Sequence, residues 1–179
     1  MASTEYYKSQ LKELHKKEDW GKTGYIPLKV DELIHTYNVK SILDFGCGKG
    51  NVTKLLKENY PDLNIIGWDP AFNETKLPDQ VDLIISIDVL EHIEPEKLNE
   101  TLSDLKTRSH LHYHAIACHK ATTNLPDGRN AHLIVETPCW WKDKLTSLNF
   151  NIINEEVYSR ISKVPVVKYE VVLSENRLY

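Results

Sequence analysis

A chain of 179 residues with an apolar share of 41% and a charged share of 27% has the make-up of a soluble globular protein long enough to bury a real core. Its net charge of -4 gives no global attraction to phosphate backbones or anionic membranes, which argues against a nucleic-acid partner. Cys47, Cys118 and Cys139 are an odd set without paired spacing, so neither a disulfide framework nor a four-cysteine zinc site is expected. The opening residues lack the apolar stretch of a signal peptide, and no window reaches the roughly 20 apolar residues of a membrane span. The expectation is a cytoplasmic protein.

No repeat or low-complexity tract divides the chain, so residues 1–179 read as a single domain. Tyr, Leu, Lys and Glu recur at helical spacing over 5–18, and GKTG at 21–24 breaks that helix. Pro27 suits the first turn of a second helix, with Leu33, Ile34 and Tyr37 on its buried side and Asn38 as a stop. SILDF (41–45) predicts a strand, and 51–59 a helix whose apolar stripe is Val52, Leu55 and Leu56. LNIIGW (63–68) predicts the next strand. VDLIISI (81–87) is apolar on both faces, as in a strand covered on each side. From Pro95 a helix carries Leu98, Leu102 and Leu105 at i, i+4 and i+7.

LHYHAIAC (111–118) reads as a central strand, followed by a long polar loop. Thr137 and Pro138 predict an N-cap and first helical position, with Trp141, Leu145 and Leu148 inward. FNIINEEVYS and VVKYEVVLS close the chain as an antiparallel pair. Strand and helix alternating before a terminal hairpin predict an α/β three-layer sandwich with a mostly parallel sheet of about six strands.

ILDFGCGKG packs Gly46, Gly48 and Gly50 just past the first strand, where such sheets bind ligands. Glycine lets main chain approach a ligand closely, and the helix that follows aims unpaired N–H groups at it. The spacing is G-x-G-x-G, not the G-x-G-x-x-G of dinucleotide-binding turns, which disfavours a nicotinamide-dependent dehydrogenase. Asp69 and Asp88 end the next two strands. With Asp44 they would gather around one pocket suited to a cationic ligand carrying a ribose. The alternative is that each is a turn or cap residue.

ILDFGCGKG, IIGWDP and VDLIISIDVLEHIEP together resemble the successive signatures of the class I S-adenosylmethionine-dependent methyltransferases, over about residues 40–98. The resemblance implies a Rossmann-like fold, S-adenosylmethionine as cofactor and S-adenosylhomocysteine as product. By that likeness Asp44, Gly46, Cys47, Gly48 and Asp69 bind the cofactor, Pro70 and Ala71 border the adenine, and Asp88 and Val89 lie beside the sulfur. This chain departs from the family in one place: only PAFNETKLPDQ (70–80) stands where a further strand and helix usually lie, so that unit is trimmed. Adenine would then rest on Phe72 or on backbone groups.

ACHKATTNLPDGRNAHLIVETPCWW (117–141) resembles a loop of a subgroup of small bacterial and phage methyltransferases with unassigned acceptors. Methyl transfer is an in-line displacement at a sulfonium, so alignment of the acceptor carries much of the acceleration. His119, His132 and His92 are the candidate general bases, and Arg129 suits a carboxylate or phosphate on the acceptor. In the competing structural reading Asp127 and Gly128 form a turn, Arg129 and Asn130 pin the loop, His92 braces its own turn, and the other histidines are structural. Trp141 is expected in the core, while Trp140 is a candidate for the acceptor pocket. His110, His112 and His114 alternate along a strand; they are read as its surface-facing side or as the strand's entrance, and no resident metal is expected. Tyr6, Tyr7, Trp20 and Tyr25 make residues 1–26 either a lid or a helix finishing the core of 27–179.

The reading favoured is methyl transfer to a small-molecule acceptor. A protein that binds or degrades the cofactor without transfer, and a nucleic-acid or protein methyltransferase, are the alternatives.

Overall fold

In the computed structural model, residues 3–17, 20, 24–72, 76–161 and 165–174 are described. The break expected at 21–24 lies outside them apart from Gly24. The chain runs α1 (Glu5–His15), α2 (Leu28–Thr36), β1 (Ser41–Phe45), α3 (Asn51–Asn59), β2 (Asn64–Trp68), β3 (Leu83–Ile87), α4 (Leu98–Arg108), β4 (Leu111–Ala117), α5 (Pro138–Ser147), β5 (Asn151–Arg160) and β6 (Val166–Ser174). Single 3-10 turns at Leu90–His92 and Pro95–Lys97 precede α4, so the helix expected from Pro95 opens as one tight turn. Thr137 caps α5 by accepting from the Trp140 N–H, as Thr4 caps α1 through the Tyr7 N–H.

The six strands form one sheet in the order β2-β1-β3-β4-β6-β5. β2, β1, β3 and β4 are parallel, and β6 inserts antiparallel between β4 and β5. Successive strand residues point to opposite faces, and here both faces are covered. Ile42, Leu83, Ile85 and Tyr113 pack on one side with Val30, Leu33 and Ile34 of α2 and Val52 and Leu56 of α3. Ile116, Tyr169 and Val171 pack on the other with Leu98 and Leu102 of α4 and Trp141 and Leu145 of α5. The result is the expected Rossmann-like three-layer sandwich of six strands with an antiparallel C-terminal hairpin.

The trimmed crossover from β2 to β3 is also as expected. Its described residues 76–80 form neither helix nor strand. Leu77 and Val81 nevertheless sit buried against Leu43, Phe45, Ile84 and Leu105, so two side chains plug the face that a helix would cover.

Two expectations fail for reasons of burial. Tyr37 is exposed, because it is the C-cap of α2 and the helix has already turned away from the sheet there. His112 and His114, expected on a surface-facing side, are wholly buried. β4 is an interior strand with helices on both faces, so its alternation has no outside. His112 Nε2 donates to the Ser109 carbonyl at 2.9 Å, and His114 Nδ1 meets Ser86 Oγ at 2.7 Å. Burial holds His112 near neutrality, its pKa lowered to about 4.

Candidate active site

β1 lies between β2 and β3, so the chain leaves its carboxyl end toward one neighbour and returns toward the other, the place where such sheets open a crevice. A cavity of about 480 Å³ lies there. Asp44, Gly46, Cys47, Gly48, Asp69, Pro70, Asp88 and Val89 all line it. Ala71 does not; it is buried just behind, donating its N–H to Asp69 Oδ1 at 2.8 Å. Phe72 is outside the lining too, half exposed with its ring edge-on to His15 at 4.7 Å.

The glycine turn is sewn to the end of β2. The Gly46 and Cys47 N–H groups both donate to the Trp68 carbonyl, at 2.7 and 3.0 Å, and the Gly48 N–H donates to Asp69 Oδ2 at 3.0 Å. Gly46 has φ 77°, and a Cβ on it would stand 2.4 Å from Val89 Cγ1, so glycine is required twice over. Among the described residues Asp69 accepts one N–H on each oxygen, which leaves lone pairs for two hydroxyls. Asp44 is buried with one side-chain donor, Thr53 Oγ at 2.6 Å, and burial raises its pKa to about 6. A cation in the cavity would favour its charged form. Burial, then the Asp44 charge, pushes the Cys47 thiol up to about 12, so this cysteine is no nucleophile.

The opposite wall carries imidazoles. His92, His119 and His132 all line the cavity. His92 Nδ1 donates to the Ala131 carbonyl at 2.7 Å, His132 Nδ1 donates to the His119 carbonyl, and His119 Nδ1 lies 2.9 Å from the Val167 carbonyl. Burial, then the nearby His132, lowers the His92 pKa to about 3; burial also lowers that of His132. Behind them Glu91 is wholly buried, its carboxyl pushed well up by desolvation and then by the Asp88 charge. Asp88, held at φ 55°, pairs with Lys168 of β6 at 3.0 Å.

Arg129 stands elsewhere. It is ion-paired to Asp127 at 2.7 Å on a solvent-exposed turn and is not among the described residues lining the cavity, which matches the structural reading of that loop. Asn130 pins the loop by bonding both the N–H and the carbonyl of Ala121. Trp140 is likewise outside the lining, packed against the α5 core with Lys144 over its ring, while Trp141 is fully buried as expected. From the N-terminal segment Tyr7, Leu11, His15 and Trp20 reach the cavity, whereas Tyr25 does not.

A family model described as "Methyltransferase domain" matches residues 12–143. The chain belongs to that methyltransferase family. Solved methyltransferases share the fold. The Burkholderia thailandensis 1,6-didemethyltoxoflavin-N1-methyltransferase, crystallised with 1,6-didemethyltoxoflavin and S-adenosylhomocysteine, superposes with a TM-score of 0.65 at 11% identity, covering 99% of this chain and 92% of that one. For the DhpI–SAH complex the values are 0.59, 14%, 96% and 95%. A SAM-dependent methyltransferase from Archaeoglobus fulgidus gives 0.53 and 18%, covering 82% and 93%.

Sequence reasoning misses several residues of this methyltransferase's cavity region, among them Lys168, His15 and Glu91. Lys168, the partner of Asp88, comes from a strand that pattern alone places only as half of a hairpin. His15 lines the cavity although its helix reads as a polar tail. Glu91 escapes notice beside His92, yet its sequence position, one turn after Asp88, directly after apolar Leu90 and two residues before Ile93, signals a carboxylate folded inward.

Proposed function

We propose that this chain transfers a methyl group from S-adenosylmethionine to a small-molecule acceptor and releases S-adenosylhomocysteine. The observation that carries the reading is the convergence of the Gly46–Gly50 turn, Asp44 and Asp69 on one cavity at the sheet's reversal point. The methionine end lies over the glycine turn, with Asp44 facing its ammonium; Asp69 takes the ribose hydroxyls; Pro70 and the Ala71 main chain border the adenine. Asp88 and Val89 flank the sulfur. The donor supplies an activated methyl on a sulfonium, and what this chain adds is alignment, exclusion of water and a place for the acceptor's proton.

The acceptor occupies the half lined by His119, His132 and Lys168, and a histidine of that wall receives its proton. Arg129, tied to Asp127, has a structural role instead. The chain works as one unit in the cytoplasm, with residues 1–26 closing over the cofactor: α1 contributes Tyr7 and Leu11 to the cavity wall and buries Leu14 against Ala71, Leu125 and Ala131.

Thermal melting tests the pocket. S-adenosylhomocysteine raises the melting temperature and NAD does not; the reverse pattern sinks the assignment. Transfer is then read with isotopically labelled donor against small metabolites, RNA and protein. Label in small molecules supports the acceptor class, label in polymers moves the chain to the nucleic-acid or protein methyltransferases, and binding with no transfer leaves a cofactor-binding or cofactor-degrading protein.

A further inference from the structure

Glu91, His92 and His132 stand together on the acceptor wall, with one ligand atom from each lying within 4.8 Å of the others. Both rings are held in the same manner, His92 Nδ1 on the Ala131 carbonyl and His132 Nδ1 on the His119 carbonyl. A carbonyl only accepts, so both Nδ1 atoms carry the proton and both Nε2 atoms present a lone pair. An imidazole whose far nitrogen donates to a backbone carbonyl is the arrangement that backs metal-bound histidine.

Glu91 supplies the second, independent observation. It is wholly buried; Oε1 takes the Ala117 N–H at 3.2 Å, and Oε2 has no hydrogen-bond partner among the described residues. A protonated Glu91 donating to His132 does not account for this, because its Oε1 lies 4.0 Å from His132 Nε2 and such a bond needs about 2.7 Å. His132 Nε2 lies 4.0 Å from this carboxylate and a ring nitrogen of His92 lies within 4.8 Å of both, and the three groups lack the positive centre that would satisfy them together.

We propose that Glu91, His92 and His132 bind one divalent cation on the cavity wall, with its remaining positions open to the acceptor. Neighbouring ligands about 2.1 Å from an ion lie roughly 3 to 4 Å apart, so the site closes by small side-chain shifts. Two imidazoles and one carboxylate suit Mn²⁺, Fe²⁺, Co²⁺ or Zn²⁺ rather than Ca²⁺, which takes oxygen ligands throughout.

The consequence for chemistry rests on the methyl-transfer reading above. An ion there selects an acceptor whose nucleophile is oxygen and lowers the pKa of that hydroxyl. The hydroxyl proton passes to His119 or to water. The oxygen then forms the O–CH₃ bond as the S–CH₃ bond breaks, and the electron pair returns to sulfur to leave a neutral thioether. His132 acts as a ligand, and His119 remains as the base.

Mn²⁺ titration of the chelator-treated full-length chain, followed by the electron paramagnetic resonance of free Mn²⁺, tests the site directly. One ion per chain is expected, with Glu91→Gln and His132→Ala each weakening affinity at least tenfold. Glu91→Gln keeps the shape and an acceptor for Ala117; should it fail to fold by melting, the half-buried His132→Ala carries the comparison. No saturable binding by the wild type, or equal binding by the folded variants, overturns the proposal. S-adenosylhomocysteine affinity is measured on the same samples: if it persists without Mn²⁺ binding, the metal site alone is rejected, and if it is absent, the cofactor reading fails separately.

Discussion

Replacing Asp44 with asparagine exchanges a buried carboxylate for a neutral amide of the same shape. Asp44 is 3% exposed, and burial raises its pKa from the ordinary 3.8 to about 6, with Thr53 opposing the rise and Asp69 adding to it. At about 1.4 kcal/mol per pH unit, that gap corresponds to roughly 3 kcal/mol. The native state holds a proton there that the unfolded chain has released, so the stabilising contribution is full below about pH 4 and is lost as pH rises to about 6. Above that range the cofactor-free protein carries a desolvated charge with one hydroxyl donor. The substituted amide keeps an acceptor for Thr53 and removes the charge. Urea denaturation should therefore find Asp44→Asn more stable than wild type by about 1 to 3 kcal/mol at pH 7.5, the two converging toward pH 4. Calorimetry on the same variant should find S-adenosylhomocysteine bound at least tenfold more weakly, because the ligand's ammonium loses its counter-charge. A variant that is destabilised at pH 7.5, or whose gain does not change with pH, would refute the burial argument; unchanged ligand affinity would remove Asp44 from the site.

Wild-type affinity for S-adenosylhomocysteine should fall as pH drops below about 6, since protonated Asp44 no longer faces a cation, and calorimetry over pH 5 to 7.5 reads this. Gly46→Ala places a methyl group 2.4 Å from Val89 Cγ1 at a positive φ and should lower stability by about 1 to 3 kcal/mol, with Val89→Ala restoring part of it in the double variant. Glu94 receives both the Thr4 N–H at 2.8 Å and the Thr4 hydroxyl at 2.7 Å, so Glu94→Ala unpins the start of α1. Stopped-flow fluorescence of Trp20, which lines the cavity, should show cofactor release accelerated several-fold; release at the wild-type rate means α1 is a fixed wall and no lid.

The fold was legible because its signals are local. Short apolar runs marked β1 to β4, Thr137-Pro138 marked the start of α5, and the short 70–80 segment announced the trimmed unit. That the glycine turn and Asp69 line one cavity was legible for the same reason: they sit at strand ends, where chain order alone dictates position. The acceptor half was not. Whether Arg129 reaches the cavity or folds back on Asp127 depends on a two-residue turn, and both outcomes share one sequence. His112 and His114 read as exterior because histidine is mostly partly exposed, although their strand reads as central; the helices packed on both faces of the sheet leave that strand no outside. Glu91 and His132 are about forty residues apart, and the loop after β4 that carries His132 back beside Glu91 is held by side-chain bonds such as Asn130 to Ala121 that pattern reading does not see.

The trimmed unit and the N-terminal helix are linked by geometry. Without a further strand beside it, β2 is the edge of the sheet, and the chain leaves Asp69 directly into a crossover whose described end packs on the α4 side. The end of the cavity beside Asp69 would then stand open to water. α1 fills it: Leu14 and Leu11 bury against Ala71, two residues past Asp69, while His15 meets Phe72 and also lines the cavity. A wall made by a helix from the chain terminus is held by few bonds, chiefly Thr4 to Glu94, Tyr7 to the His92 carbonyl and Gln10 to the Asp127 N–H. Tyr7 donates to the carbonyl of His92, one proposed metal ligand, so the helix that lines the cavity beside Asp69 also touches its histidine wall. Losing a strand and helix thus leaves α1 as the border there, and the glycine-turn side and the histidine side of the cavity both lie against the same eleven-residue helix.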